Sequence, residues 1–415
     1  MDFASQLANL QKTASAAQSR GNNNRDDQNR SRSPPRQNNR DNRPPPDHRT
    51  DHRRHQGSNN AARDNGRYDN SRDNHSSYGR QPDQKRQRRE LDGPYRSAKW
   101  NNLKRAVDTL PKYRPPTEIQ PCTHMCLLAI TINDLPLEAI WRDWAERQSI
   151  TISLICHAKE PNKVQSEWLK SRLLVEPPRS GRGNDFAPPT YHTRYPQWGS
   201  IEITRAMLDL CDESLKVGTD ADMKDFRFST NRYGFEETAT ALPKVDKVLF
   251  ISETCLPIAS LTDELLASPI SVVNSRDTPN NGFSRQLQFE KIHSLVPLKL
   301  KADQWMMLSR PHLQFVMTMI PHTLWECFRD CNASDELYFP TALALLGIVD
   351  DESQLVKRRI TYADWSMGPK NPATFETKDL KKVVEEARKE GCLVARKFIG
   401  IDLEEWKAVV FPSAT

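Results

Sequence analysis

The chain contains 415 residues, 27% of them charged, and its formal net charge is +6. This length permits two or three domains, but the longest apolar runs, such as 125–132, fall far short of the ~20 residues that span a bilayer. Near the N-terminus, Phe3, Leu7 and Leu10 form at most one weak amphipathic turn, and not the apolar core of a signal peptide. We therefore expect no transmembrane segment in this chain.

The excess positive charge lies in the N-terminal quarter of the chain. Residues 1–95 hold 19 Lys and Arg against 12 Asp and Glu, whereas the remainder holds 41 against 42. Residues 11–90 contain no Val, Ile, Leu, Met, Phe, Trp or Cys, so this segment cannot bury enough apolar surface to offset its ordering entropy. We predict a disordered, polar and basic tail over residues 1–96 and a folded domain over 97–412.

Two interpretations of the tail stay open. Its composition needs no partner to remain soluble, which favours a solvated linker. The runs S-R-S-P-P-R at Ser31–Arg36 and K-R-Q-R-R at Lys85–Arg89 are instead typical of RNA-binding or nuclear-import tails. Interleaved aspartates dilute the positive field, and only Tyr68 and Tyr78 offer rings on which bases would stack. Nucleic-acid contact by the tail is therefore the alternative hypothesis.

A strand–helix–strand unit opens the predicted domain. Residues 125–132 (M-C-L-L-A-I-T-I) and 150–156 (I-T-I-S-L-I-C) are continuous apolar runs typical of buried strands, and apolar residues recur between them at helical spacing. Such a unit implies a parallel sheet with a right-handed crossover. Ligands bind these sheets outside the carboxyl ends of the strands, which here are residues 133–134 and 157–159.

The elements that follow continue the α/β pattern. Residues 201–215 are predicted to form a helix, and Lys247–Ser252 (K-V-L-F-I-S) a third buried strand. Another helix is predicted to begin at 309–311, because Pro suits the first helical turn. An amphipathic helix is predicted over 377–391, where Gly391 ends it.

An acidic pair precedes the apolar helical run that starts after residue 336. Ser334 is a predicted N-cap and Gly347 a predicted helix stop. Asp335 and Glu336 in a first helical turn can simply complement the helix dipole; the alternative is that Glu336 is a general base at the mouth of a pocket. Pro340 predicts that the two acids sit on a kinked or separate turn, with the regular helix beginning near the proline.

Several familiar catalytic and metal-binding patterns are absent from the sequence. There is no P-loop, G-x-G-x-x-G, G-x-S-x-G or H-E-x-x-H, and the eight cysteines do not have zinc-ribbon spacing. Those cysteines are compatible with disulfides in a secretory lumen and equally with buried free thiols. The D-x-D at Asp220–Asp222 lies in a polar stretch and not at a strand end, so we expect no metal there.

Nine short segments occur in the order in which they occur in one enzyme family. From about Cys126 to Phe398 the chain resembles the core-2/I-branching β-1,6-N-acetylglucosaminyltransferases, particularly their plant-type relatives. The segments are the first strand and helix (Met125–Trp144), H-A-K-E-P (His157–Pro161), W-G-S (Trp198–Ser200), F-I-S-E-T-C-L-P-I (Phe250–Ile258), Q-W-M-M-L-S-R (Gln304–Arg310), D-E-L-Y-F-P-T (Asp335–Thr341), T-Y-A-D-W-S (Thr361–Ser366), N-P-A-T-F (Asn371–Phe375) and A-R-K-F (Ala395–Phe398).

The resemblance implies a GT-A-like α/β fold, with a mostly parallel sheet flanked by helices. It also implies an inverting, metal-independent glycosyltransferase that moves N-acetylglucosamine from a UDP-sugar donor to a glycan hydroxyl. No cofactor is expected beyond the donor substrate. The base that deprotonates the acceptor hydroxyl corresponds to Glu336, since direct displacement needs one carboxylate near the incoming hydroxyl.

The resemblance also implies a donor site built from basic residues and strand ends. Lys397 matches a family position that stabilises the leaving diphosphate, and Arg396 is expected to assist through bidentate contacts. The nucleotide is expected near Thr131, Asn133 and His157, at the first two strand ends. A packed core histidine is the alternative interpretation of His157.

Further site residues are expected around the third strand and on the acceptor side. Ser252 and Glu253 end the third strand and are expected to face the donor cleft, with a structural ion pair as the alternative for Glu253. Tyr362 matches a tyrosine near the acceptor sugar in the family. Trp305 and Trp198 offer rings that can stack on a sugar or base, and a core position is the alternative for each.

The expected location and role each have an alternative. Family members are normally type II membrane proteins of the Golgi, which implies the secretory pathway, whereas the lack of a signal or anchor in this chain favours a nuclear or cytoplasmic location. The expected partners are a UDP-sugar donor and a glycan acceptor. The alternative function is a catalytically inactive family member that acts as a binding module, with the basic tail contacting RNA or a nuclear partner.

Overall fold

The computed structural model describes residues 94–116, 120–176, 191–192, 194–219, 230–235, 241–267, 269–277, 300–329, 331–366, 368 and 371–412. The chain divides between Gly93 and Pro94. The predicted tail up to residue 93 and the D-x-D at Asp220–Asp222 lie outside the described residues. A helix that was not predicted crosses the expected domain boundary at residues 96–97, because it begins at Pro94.

Helices and strands alternate through most of the described chain. The helices are α1 (Pro94–Asp108), α2 (Glu138–Glu146), α3 (Glu167–Lys170), α4 (Ile201–Lys216), α5 (Asp263–Leu266), α6 (Arg310–Met319), α7 (Asp335–Leu345), α8 (Leu380–Lys389) and α9 (Leu403–Val410). The strands are β1 (His124–Thr131), β2 (Thr151–Ala158), β3 (Lys247–Ser252), β4 (Leu256–Pro257), β5 (Ser271–Val272), β6 (Arg276–Asp277), β7 (Leu300–Lys301), β8 (Met307–Ser309), β9 (Leu355–Val356), β10 (Thr361–Ala363) and β11 (Val394–Arg396). Single 3₁₀ turns cover Pro161–Lys163, Thr230–Tyr233, Leu324–Phe328 and Thr377–Asp379.

The main sheet of the described residues has the strand order β2-β1-β3-β8-β5-β9. Strand β1 runs parallel to both β2 and β3, and β5 runs parallel to β9, whereas β8 is antiparallel to its two neighbours. The predicted α/β fold with a mostly parallel sheet is therefore confirmed. In the register, Ile130 lies opposite both His157 and Ser252, so β1, β2 and β3 end at one edge of the sheet.

Burial explains why the first three strands are apolar along their whole length. Every residue of β3 is buried, and β1 and β2 each have a single half-buried residue. Helix α4 packs against β1 and β2, and the tryptophans of α2 are completely buried. Strands covered on both faces need apolar residues at successive positions instead of alternating ones.

A second small sheet, in the order β10-β11-β4, carries the C-terminal strand. Its β4 edge belongs to the segment after β3, which three buried tryptophans hold in place. Their indole N–H groups donate to backbone carbonyls of this segment: Trp141 to Cys255 (3.2 Å), Trp144 to Ala259 (2.8 Å) and Trp406 to Pro257 (2.7 Å). Since β11 pairs with β4, the end of β11 is fixed beside the turn that follows β3.

Within the ranges described above, no helix is both long and apolar enough to cross a membrane.

Candidate active site

Helix α7 runs without interruption from Asp335 to Leu345 and contains Pro340. The predicted separate turn for the two acids is therefore wrong. A proline has no N–H, so the carbonyl four residues earlier, that of Glu336, loses its helical partner. The backbone N–H of Ala302 donates to that carbonyl at 2.8 Å. This bond satisfies the helix and ties the residues after β7 to the first turn of α7.

Lys301, the last residue of β7, forms an ion pair with Glu336. Its Nζ lies 2.6 Å from Oε2 of Glu336, and the two side chains are 21% and 26% exposed. The Ala302 bond to the Glu336 carbonyl brings Lys301 into range. The sequence analysis missed this partner. Its only sequence signal was indirect, since Pro340 implies that some other donor must reach the Glu336 carbonyl.

Asp335 is a buried acid without a hydrogen-bond partner for its Oδ1 among the described residues. Burial, together with the charge of Glu336, raises the pKa of Asp335 to about 7, although Lys301 and Arg396 act in the opposite direction. Asp335 is therefore not a solvated acid that merely complements the helix dipole. The first turn of α7 thus carries two carboxyls in different environments, one buried and one partly exposed.

The predicted end residues flank α7 on both sides. Ser334 occupies the N-cap position as predicted, but its side chain makes no capping bond; its Oγ lies 2.6 Å from Oγ1 of Thr204 on α4 instead. Gly347 has a left-handed φ of +77°, which glycine adopts without strain. The helix stop at Gly347 is confirmed.

Arg396 and Lys397, at the end of β11, share an electrostatic environment with Glu253, on the turn after β3. Burial raises the pKa of Glu253, and the charges of Arg396 and Lys397 oppose that rise. Burial and the charge of the neighbouring Arg396 lower the pKa of Lys397, whereas the charge of Glu253 raises it. The backbone joins the two segments, since the N–H of Phe398 donates to the carbonyl of Thr254 at 2.9 Å.

The guanidinium of Arg396 connects this cluster to α7. It lies over the ring of Trp305 at 4.5 Å from the ring centroid, and it is one of the charges that lower the pKa of Asp335. Its Nε is buried and has no hydrogen-bond partner in the described part of the chain. Trp305 is itself buried, so it supports Arg396, and its predicted stacking on an acceptor sugar stays a prediction.

The side chains predicted at the first two strand ends are mostly occupied by internal contacts. Thr131 is buried and donates its hydroxyl to the carbonyl of Asn133 at 2.7 Å, whereas Asn133 itself is exposed. His157 lies inside β2 and is fully buried, and its Nε2 accepts from the backbone N–H of Arg194 at 3.0 Å. Burial is the main cause that lowers the pKa of His157 to about 4, so the ring is neutral at pH 7.

Two further predicted residues also have internal partners. The buried hydroxyl of Ser252 lies 3.3 Å from Sγ of Cys255. Tyr362, on β10, donates its hydroxyl to Oε2 of Glu386 on α8 at 3.0 Å. Burial and this carboxylate raise the pKa of Tyr362 to about 12. The predicted role of Ser252 in binding the donor substrate and that of Tyr362 in binding the acceptor sugar stay predictions.

No three His, Cys, Asp or Glu side chains converge as possible metal ligands in the described ranges; metal independence stays a prediction. All eight cysteines are buried free thiols in the structure.

Comparison with known proteins gives one family match. Residues 238–387 match the family model described as Core-2/I-Branching enzyme. The matched range contains Glu253, Lys301 and Glu336 and ends before Arg396. No curated protein sequence matches the chain. The predicted family is confirmed over this range, while its plant-type branch stays a prediction.

Proposed function

We propose that the chain transfers N-acetylglucosamine from a UDP-sugar to a glycan hydroxyl, with inversion and without a metal ion. Residues 238–387 match the core-2/I-branching family, which is a glycosyltransferase family, and this match supports the proposal. The observation that carries the proposal is the ion pair between Lys301 and Glu336 at the start of α7. We also propose that the chain resides in the Golgi, as the resemblance to the family implies.

Glu336 acts as the general base in this mechanism. Its carboxylate accepts the proton of the acceptor hydroxyl while that oxygen bonds to the anomeric carbon and the bond from that carbon to the UDP oxygen breaks. The ammonium of Lys301, 2.6 Å away, restricts the orientation of this carboxylate. A base that is positioned before the acceptor binds contributes to the rate without reorganisation in the transition state.

Asp335 does not share this role. Asp335 is 4% exposed, whereas the side chain of Glu336 is about a quarter exposed and can meet a hydroxyl that enters from solvent. Since burial holds the pKa of Asp335 near 7, a fraction of this carboxyl is protonated at neutral pH. Asp335 therefore adds less than a full negative charge beside the base.

The leaving diphosphate gains negative charge as the glycosidic bond breaks. Arg396 and Lys397 supply fixed positive charge at the end of β11, beside Glu253. The buried Nε of Arg396 lacks a protein acceptor among the described residues, so a phosphate oxygen would satisfy it. Preorganised cations at the position where charge develops lower the barrier more than cations that must rearrange.

The nucleotide itself is proposed to bind at the edge where β1, β2 and β3 end. Asn133 is exposed there and can donate to the base or ribose. Thr131, His157 and Ser252 have internal partners, so their contribution is to fix the shape of the edge. Glu253 follows β3 and faces the two cations of β11.

Replacing the base tests the proposal. In Glu336→Gln the proton acceptor is lost while the shape is kept, so transfer to an acceptor should fall by about 10²- to 10⁴-fold. Binding of UDP-N-acetylglucosamine, followed as a thermal shift, should persist. The matched control is Glu385→Gln, which alters an exposed acid on α8 and should leave the rate unchanged.

The same assay tests the remaining features of the proposed reaction. Addition of a chelator should leave transfer intact, and NMR of the first product should show the inverted anomeric configuration. Full activity of Glu336→Gln would contradict the assignment of the base. Absence of any thermal shift with UDP-N-acetylglucosamine in the wild type would contradict the donor.

A further inference from the structure

Trp198 has the most exposed large apolar side chain in the described part of the chain, at 82% exposure. It belongs to the W-G-S turn that immediately precedes α4. Its neighbours in the turn do not extend an apolar surface: Gln197 is exposed and polar, and Ser200 is half-buried. A single exposed indole among polar residues matches, in size, a partner of about one ring.

The W-G-S turn is attached directly to the residues that position the base. The carbonyl of Gly199 accepts from the N–H of Ala333 at 3.0 Å, and the carbonyl of Ala333 accepts from the N–H of Glu336 at 3.0 Å. Two consecutive backbone hydrogen bonds thus lead from the residue after Trp198 to Glu336. The contact between Ser334 and Thr204 at 2.6 Å fastens α4 to the same loop.

Gly199 is required for this attachment. Its φ is +68°, a left-handed conformation that strains other residues. A Cβ added to Gly199 would lie only 3.3 Å from the backbone nitrogen of Ala333. The left-handed backbone of Gly199 therefore allows the W-G-S turn to lie close to the loop before α7.

We propose that Trp198 is an acceptor-binding residue, whose indole stacks on the apolar C–H face of a pyranose ring beside Glu336. This inference rests on the function proposed above and names a residue for its acceptor side. The acceptor sugar must come to Glu336 because its hydroxyl gives up the proton there. The donor phosphates instead require the cations of β11, so the acceptor is the substrate that the W-G-S turn adjoins.

A sugar fits this position better than a protein surface does. Stable protein interfaces bury about 800 Å² on each partner, whereas Trp198 is one side chain with polar neighbours. Tryptophan combines a large apolar face with an N–H donor. A pyranose offers a matching apolar face with hydroxyls at its rim.

The test compares Trp198→Ala and Trp198→Phe with the wild type, using p-nitrophenyl β-pyranosides as acceptors and UDP-N-acetylglucosamine as donor. Loss of the ring in Trp198→Ala should raise the acceptor KM roughly tenfold or more, while kcat and the donor KM stay within about threefold. Trp198→Phe retains an aromatic face and should recover most of the loss. Binding of the same glycosides, followed by saturation-transfer NMR, gives a readout independent of turnover.

Tyr195→Ala is the matched control, because Tyr195 is another exposed aromatic of the same segment. Its ring contacts Lys159 and its hydroxyl donates to Glu160, both after β2 and not at α7. The acceptor KM of Tyr195→Ala should remain near that of the wild type. An equal rise in both variants would assign the effect to disturbance of the segment and would overturn the inference.

The outcomes separate this inference from the proposed function. Transfer by the wild type with an unchanged acceptor KM in Trp198→Ala would overturn the inference and leave the function standing. Glycoside binding that is lost in Trp198→Ala, without transfer by the wild type, would support the inference and contradict the function. If the wild type neither binds nor glycosylates any of the pyranosides, both are wrong.

Discussion

The start of α7 and the carboxyl ends of β1 and β2 were both predicted to carry substrate-binding side chains, and they differ in how those side chains are used. At α7, Glu336 is partly exposed and paired with a cation. At the strand ends, Thr131 and His157 are buried, and each makes a hydrogen bond within the protein. The α7 region has a partly exposed charged side chain, whereas the polar side chains at the strand ends form hydrogen bonds with backbone groups of the protein.

The difference indicates two kinds of contribution to one site. A base must exchange a proton with substrate, so its carboxylate has to be accessible and electrostatically prepared. A nucleotide can instead be held by shape and by a few exposed groups, which internally bonded side chains make rigid. The donor edge is therefore expected to tolerate side-chain replacements that the α7 region does not.

Among variants that keep Glu336, removal of the cation beside it should give the largest effect. In Lys301→Met, the loss of a charged partner at 2.6 Å should lower kcat/KM by roughly 10- to 100-fold. The loss should fall mainly on kcat, because the ammonium restricts the orientation of the carboxylate that accepts the proton. The measurement is kcat and the acceptor KM of transfer for the wild type and the variant.

Two companion variants make this result specific. Lys301→Arg keeps the charge and should retain most of the activity. Lys378→Met removes the cation of an exposed pair with Glu376 and should have no effect, since such pairs contribute little. A Lys301→Met enzyme with the kcat of the wild type would show that Lys301 does not position the base.

Replacement of Asp335 by Asn should have a moderate effect that depends on pH. The pKa of Asp335 rises from its ordinary 3.8 to about 7, chiefly through burial. Between those pH values the folded state binds more protons than the unfolded state. The contribution of Asp335 to the free energy of unfolding is therefore present below pH 4 and is lost as the pH rises through 7. Asn is neutral throughout, so Tm of Asp335→Asn relative to the wild type should increase by a few degrees from pH 5 to pH 8.

An exposed acid in another first turn provides the control for that comparison. Asp263 begins α5 and is exposed. The Tm difference between Asp263→Asn and the wild type should not vary over the same pH range. If Asp335→Asn behaves in the same way, Asp335 is not buried in solution, and the contrast between the two acids of α7 disappears.

Most of the fold could be predicted because its signals are local. The third strand was placed with its observed bounds, Lys247–Ser252, and continuous apolar runs identified β1 and β2 because both faces of those strands are covered. Gly391, with a φ of +71°, follows the amphipathic helix as predicted. Helix α1 was missed, since its first residues continue the polar composition of the tail.

The parts of the site that were not predicted depend on contacts between distant segments. Pro340 suggested a break in α7, because nothing nearby in sequence shows that Ala302 supplies the missing donor. Serine is a common N-cap residue, but the hydroxyl of Ser334 forms a hydrogen bond with Thr204 on another helix instead. Local patterns therefore identified Glu336, whereas its partner Lys301 became evident only in three dimensions.

The smallest expected effect comes from the strand ends and tests the comparison directly. Thr131→Val removes a buried hydroxyl that bonds the carbonyl of Asn133 at 2.7 Å, so the protein should lose about 1 kcal/mol of stability while the donor KM changes less than about twofold. Asn133→Ala removes an exposed amide and should raise the donor KM more than Thr131→Val does, with little change in Tm. The measurements are the KM for UDP-N-acetylglucosamine and thermal denaturation of both variants. A tenfold rise in the donor KM of Thr131→Val alone would mean that the hydroxyl leaves its internal bond to contact the nucleotide, and the strand ends would then use their side chains as α7 does.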